Sequence, residues 1–234
     1  MTTTRKGPEM DVLARIDQAR RTCNVLEHPF YERWSAGELS AEELDFYAGE
    51  YRHAVLALAE ASEAVAAKAE PEHRGGLERH AAEERSHVAL WDEFAKAASC
   101  KGQEHAQSTL TREPLGETAR CAQAWTAGSD ALEHLAVIYA IEAGQPEIAR
   151  TKLEGLTERY GYSPEGPAVE YFQLHATLDV EHARQARELI AELMSADEAQ
   201  AQASAERMVS RATAALQGNW ELLDGVEAQF SKTA

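Results

Sequence analysis

The sequence predicts an all-α protein, a bundle of about seven to eight helices, and three observations carry that expectation. Ala, Glu, Leu, Arg and Gln dominate, all of them good helix formers. Only 14 Gly and 7 Pro are spread over 234 residues, so helix breakers are few. Alternating runs of β-branched residues, which would mark half-buried strands, are missing.

Punctuation then divides the chain. Helical patterns occupy roughly 10 to 24, 40 to 69, 72 to 99, 114 to 127, 129 to 143, 146 to 160 and 165 to 195, a last one runs to about 230, and a short piece lies near 27 to 35. Ser40 followed by Glu43 is a capping box ahead of LDFYAGEYRHAVLALAEA. Pro71, Pro114 and Pro146 each suit a first helical turn, where a missing N–H costs nothing. Gly161, after TKLEGLTERY, suits a helix C-terminus, and GYSPEGP reads as a turn before the next helix. With 44% hydrophobic residues the chain can bury a sizeable core, so a single domain over 1–234 is expected, with 1–9 as a flexible lead.

Charge narrows the partners. Twenty-three basic and 40 acidic residues give −17, with no Lys/Arg-rich block, so the field of the whole protein works against nucleic acid and anionic membranes. MTTTRKGPEM has no apolar region of the kind that directs export, and no apolar run is long enough to span a bilayer, so a cytoplasmic protein is expected. Cys23, Cys100 and Cys121 lack CxxC spacing and read as reduced, packed thiols.

Two segments stand out: HAAEERSH at 80–87 and HATLDVEH at 175–182 share the pattern His, three residues, acid, two residues, His. On a helix those three positions fall within about 60° of one another and span about 10 Å of axis, so the side chains form one stripe. That length is too great for one ion but suits two neighbouring ions. Imidazole nitrogen and carboxylate oxygen together suit iron, manganese or zinc. Random placement gives about 0.06 copies of the pattern per chain, so one copy reads as a solvated charged stripe while two favour a metal site. A di-metal centre also needs carboxylates from other helices. Glu142 in HLAVIYAIEAG meets that need, because Leu135, Ile138 and Tyr139 share its face, and an acid there either meets a metal or is a costly buried charge. Glu133 and His134, at the start of the same helix, read as surface or capping residues.

These residues, with LEHPFYERWSAGELSAEELDFYAGEY, HVALWDEFA and IARTKLEGLTERYGYS, resemble the haem-oxygenase-like di-iron oxidases, and within them the CADD-type proteins related to the TenA and PqqC enzymes. The resemblance covers about 24 to 195 and implies a haem-oxygenase-like bundle. It implies two iron ions, with manganese or a mixed iron/manganese pair as alternatives, and O2 as co-substrate. The implied ligands are Glu84, His87, Glu142, His175, Asp179 and His182. CADD-type proteins carry their first acid seven residues before the His, where this chain has His80, and the segment here looks shorter. Glu84 is therefore the favoured acid, Glu83 an alternative, and His80 either a hydrogen-bond donor behind the ligands or an unusual extra ligand.

The same resemblance implies synthesis of 4-aminobenzoate for folate from the protein's own tyrosine, with a lysine supplying nitrogen. The matching positions are Tyr31 and Lys152, for which core packing and a snorkelling helix lysine are the plain alternatives. TenA-type thiamine hydrolysis needs a cysteine that VIYAIEAG lacks, and PqqC-type enzymes lack the full ligand set. Tyr139 and Tyr171 lie one helical turn from Glu142 and His175 and suit a relay, a hydrogen bond or packing. Tyr47 and Tyr51 read as pocket lining, and His28 and His53 as core or surface residues. Two rivals stand beside the self-sacrificing oxygenase: a di-iron oxygenase acting on an external amino acid or fatty acid, and a metal-binding helical module without catalysis. The expected partners are a small-molecule substrate or the chain's own tyrosine, an unidentified electron donor, and a second copy in a homodimer.

Overall fold

The structure of the protein is a computed structural model, which describes residues 8–102, 112–194 and 197–231. Its helices are α1 (Pro8–Thr22), α2 (Pro29–Ala36), α3 (Ala41–Lys68), α4 (Pro71–Gly102), α5 (Gly116–Thr126), α6 (Ala131–Glu142), α7 (Gln145–Glu154), α8 (Pro167–Leu193) and α9 (Glu198–Phe230). A short 3-10 turn, Val25–Glu27, precedes α2, and a π-helical turn, Gly155–Arg159, extends α7. No strand occurs among the described residues. Residues 1–7 of the expected flexible lead lie outside them, whereas Pro8 and Glu9 already belong to α1.

Helix α6 lies at the centre. Its ten residues Glu133 to Glu142 are all buried, as expected of a segment that is apolar on every face. It packs against α1, α3, α8 and α9, while α4 pairs with α3 along one side and with α8 on the other. The apolar core draws on residues from Val12 to Val226, with Trp34, Trp91 and Trp125 among its largest fully buried side chains.

Local chemistry sets the ends of the elements. The Ser40 hydroxyl accepts from Glu43 N–H at 3.1 Å, and the Glu43 carboxylate accepts from Ser40 N–H at 2.7 Å, completing the capping box. Pro71 opens α4 and Pro146 lies in the first turn of α7. Pro114 does not open a helix: α5 begins at Gly116, because buried Glu50 on α3 takes the Leu115 N–H at 3.0 Å and the Thr118 hydroxyl. Gly161, at φ 66°, lets the chain turn after the π-helical segment.

Two further expectations need correction. The helix over 146 to 160 is not uniform, since α7 gives way to the π turn at Gly155. A Cβ at Gly155 would lie 2.4 Å from Trp34 Nε1, and that indole nitrogen donates to the Lys152 carbonyl at 3.3 Å. Glu133 caps the start of α6, accepting from the Ser129 N–H at 3.1 Å, but neither it nor His134 is a surface residue: both are buried, and Glu133 accepts from Arg207 and Arg211 of α9 at 2.9 and 3.0 Å. His28 is a core residue, whose ring nitrogen accepts from Phe30 N–H at the start of α2. Cys23 and Cys121 are free thiols, and the Cys100 side chain lies outside the described residues.

Candidate metal centre

Helices α4, α6 and α8 meet around a buried cluster of imidazoles and carboxylates. Glu84 and His87 come from α4, Glu142 is the last residue of α6, and His175, Asp179 and His182 come from α8. All six side chains are buried, none more than 5% exposed. The spacing His, +4, +7 brings each trio onto one face, and α4 and α8 run in opposite directions, so that His87 faces His175 and His80 faces His182.

Donor atoms converge in two groups, in each of which one atom per residue lies within 4.8 Å of the others: His80, Glu84, Glu142 and His182, and Glu84, His87 and His175. Glu84 is common to both. Its Oε1 lies 3.2 Å from His87 Nδ1 and 3.5 Å from His182 Nδ1. Asp179 stands at the edge, with Oδ1 3.9 Å from His182 Nδ1. Glu83, the alternative acid, is half-exposed on the rim, where its Oε2 accepts from His182 Nε2 at 3.3 Å and leaves Nδ1 facing inward. His175 donates from Nδ1 to the Tyr171 carbonyl at 2.7 Å, leaving Nε2 as its inward atom.

These donors suit a cation. Seven buried atoms here have no hydrogen-bond partner: Glu84 Oε1, His87 Nδ1, Glu142 Oε2, His175 Nε2, both Asp179 oxygens and His182 Nδ1. Buried polar groups are nearly always satisfied, so this concentration of orphans is what a metal would complete. The electrostatics agree. Burial, then the Glu84 charge, pushes the Glu142 carboxyl well above the usual range. Burial, then Glu142 and Glu84, does the same to Asp179. Burial works to raise Glu84 too, but His87, His175 and His80 outweigh it and hold it low. A divalent ion reverses the cost of ionising the other two. Burial lowers His175 to about 4, which keeps its imidazole neutral with a lone pair to offer.

Beside the centre stands an aromatic cage. Lys152 is 1% exposed, with its nitrogen 4.3 Å from the Tyr51 ring centroid and 5.5 to 5.7 Å from those of Tyr31, Tyr47, Trp91 and Phe172. Burial alone lowers the Lys152 amine to about 7. The hydroxyls of Tyr31 and Tyr47 are 3.2 Å apart. Tyr171 joins cage and centre: its ring stacks on His175 at 3.9 Å and meets Trp91 edge-on at 4.9 Å. Tyr139 faces elsewhere, donating to Asp17 of α1 at 2.9 Å and accepting from Arg187 at 3.3 Å. Sequence reasoning missed Trp91 and Phe172. The available signal was Trp91's place one turn after His87 on the same face of α4.

Comparison with known proteins agrees with the fold and the donors. A family model described as an iron-containing redox enzyme, with a haem-oxygenase name, matches residues 47–217. A 4-aminobenzoate synthase of Chlamydia muridarum is 31% identical over 215 residues, covering 88% of each chain. One from Chlamydia trachomatis serovar D is 32% identical over 197 residues, covering 80% of this chain and 83% of its own. A TenA homologue from Pseudomonas syringae shares the fold at TM-score 0.74 and 17% identity, over 97% of this chain and all of that one. No helix among the described residues is long and apolar enough to cross a membrane. An all-helical, haem-oxygenase-like bundle whose buried nitrogen and oxygen donors suit iron makes this chain an oxidoreductase, and it belongs to the family of iron-containing redox enzymes.

Proposed function

We propose that the protein holds two ions, both iron or one iron and one manganese, on Glu84, His87, Glu142, His175, Asp179 and His182. With O2 as co-substrate and an external electron donor, it converts its own Tyr31 into 4-aminobenzoate, and Lys152 supplies the nitrogen. The observation that carries this reading is the burial of the Lys152 amine against the Tyr31 ring, 5.6 Å from its centroid, in a cage that also reaches the ligand His175 through Tyr171. The relatives named 4-aminobenzoate synthase support it.

Bound iron would supply the reduction of O2 and the oxidising power. The rest falls to the chain's own residues. With its amine lowered to about 7, Lys152 presents much of its population as the uncharged nucleophile near neutral pH. Tyr47 orients the Tyr31 hydroxyl, and burial keeps both phenols protonated. The aromatic walls exclude water from the space between amine and ring. Tyr171 holds the His175 tautomer through its carbonyl.

His182→Ala is expected to abolish O2-dependent turnover with helical content retained, and full activity in that variant removes the ligand assignment. Tyr31→Phe is expected to make no 4-aminobenzoate while binding metal normally. A second reading, oxygenation or oxidative C–C cleavage of an external amino acid or fatty acid, is favoured by a cavity of about 300 Å³ that reaches His80 and His182 between Leu77, Leu135, Ile138 and Leu189. It predicts many turnovers per chain and an active Tyr31→Phe.

A further inference from the structure

The two helices that carry the repeated motif contribute to the centre more equally than the six-ligand set allows. We propose that His80 is itself a metal ligand, so that each ion receives one imidazole from α4 and one from α8: His80 with His182 at one position, His87 with His175 at the other. This rests on the reading that the centre holds metal.

Three observations converge. The ring centroids of His80 and His182 are 4.3 Å apart, and those of His87 and His175 are 4.7 Å apart, so the antiparallel helices form two matched imidazole pairs. His80 belongs to the same group of mutually close donors as Glu84, Glu142 and His182, while Glu84 alone also belongs to the other group. His80 Nε2 lies 2.8 Å from Glu142 Oε1 and 3.9 Å from Glu84 Oε1. Glu142 Oε1 is also the oxygen facing His182 Nδ1, at 3.8 Å. The His80 nitrogen therefore sits among the donors of three helices and not behind one of them. A fourth imidazole gives a nitrogen-richer set than a carboxylate at position 80 would, and so one better suited to iron. At 13% side-chain exposure, on the wall of the 300 Å³ cavity, position 80 has room for substitution.

The test uses the full chain, loaded anaerobically with iron(II), dialysed, and assayed for ions per chain by elemental analysis, with far-UV circular dichroism as the folding control. Two variants separate a ligand from a residue that only hydrogen-bonds Glu142. His80→Gln keeps a side-chain N–H donor but offers no good ligand nitrogen, whereas His80→Glu offers a ligand oxygen but sets like charge beside Glu142. Two ions are expected in the native chain, one in His80→Gln and two in His80→Glu. Any other pair of results for the two variants overturns the proposal; in particular, two ions in His80→Gln and one in His80→Glu makes His80 a hydrogen-bonding residue. A native chain that takes up no iron overturns the metal reading of the whole site, a result distinct from failure at His80 alone.

Discussion

Helix α6 carries two buried glutamates, one near each end, and they live in opposite circumstances. Glu133, in the first turn, accepts from the Ser129 N–H at 3.1 Å and from Arg207 and Arg211. Burial works to raise its pKa, but those donors outweigh it and hold the carboxyl at about 2. Glu142, at the last position, has one oxygen without any hydrogen-bond partner, lies where the helix dipole disfavours negative charge, and is pushed well above the usual range. The same residue type is satisfied by protein at one end and keeps an unpartnered oxygen at the other. A buried acid is thus diagnosed by its unmet atoms and not by burial alone.

The largest effect that sharpens this contrast is on metal. Glu142→Gln should weaken iron binding by about 100-fold while leaving the metal-free chain's thermal midpoint unlowered, because the Gln amide oxygen can keep the 2.8 Å contact with His80 and the other carboxyl oxygen has no hydrogen bond to lose. Titration with iron(II) and a melting curve of the metal-free protein check both halves. A large fall in midpoint with normal iron binding would reverse the roles of the two glutamates.

Lys152 extends the comparison to a cation. Its folded value of about 7 lies below the ordinary 10.5, so the unfolded chain binds more protons between those values and stability from this group rises with pH across that window. Lys152→Met should flatten that rise and stabilise the chain at pH 7 by a few kcal/mol, since a tenfold difference in proton affinity between folded and unfolded chain is worth about 1.4 kcal/mol. Denaturant unfolding from pH 7 to 10 measures it, and an unchanged slope contradicts a lysine buried in the cage.

Glu133→Gln should give the smallest effect, a loss of about 1 to 2 kcal/mol, because its arginine partners are half-exposed. Its folded pKa lies below the ordinary 4.5, so the stability it contributes is present above that value and is lost as pH falls towards about 2. The variant's acid-unfolding curve should be flatter over that range, with iron binding unaltered.

The contrast between the glutamates also shows what a sequence exposes. Glu142 was legible because an acid interrupting HLAVIYAIEAG has apolar residues on its own face, a purely local pattern. The burial of Glu133 was not, because it depends on arginines 74 and 78 residues away on α9. The repeated His motif marked both α4 and α8, yet the place of His80 depends on Glu142, 62 residues along the chain. The helices themselves were legible from caps, prolines and composition. The π turn after Glu154 was not, since it answers to Trp34 packing against Gly155. Short-range chemistry is written in the order of residues, whereas the satisfaction of a buried group is decided by what the fold brings to it.

The claim that the centre and the Lys152 cage act together on this chain's own tyrosine is tested most directly by isotope. Protein grown on ring-13C tyrosine, loaded with iron(II) without oxygen and then exposed to O2 with a reductant, is analysed by mass spectrometry for small products and for the intact chain. The account predicts 13C-labelled 4-aminobenzoate, at most one per chain, with mass changes on the intact chain that map to Tyr31, which loses its ring, and to Lys152, which loses its amine nitrogen. Unlabelled product, or product in many-fold excess over protein with Tyr31 intact, would contradict it.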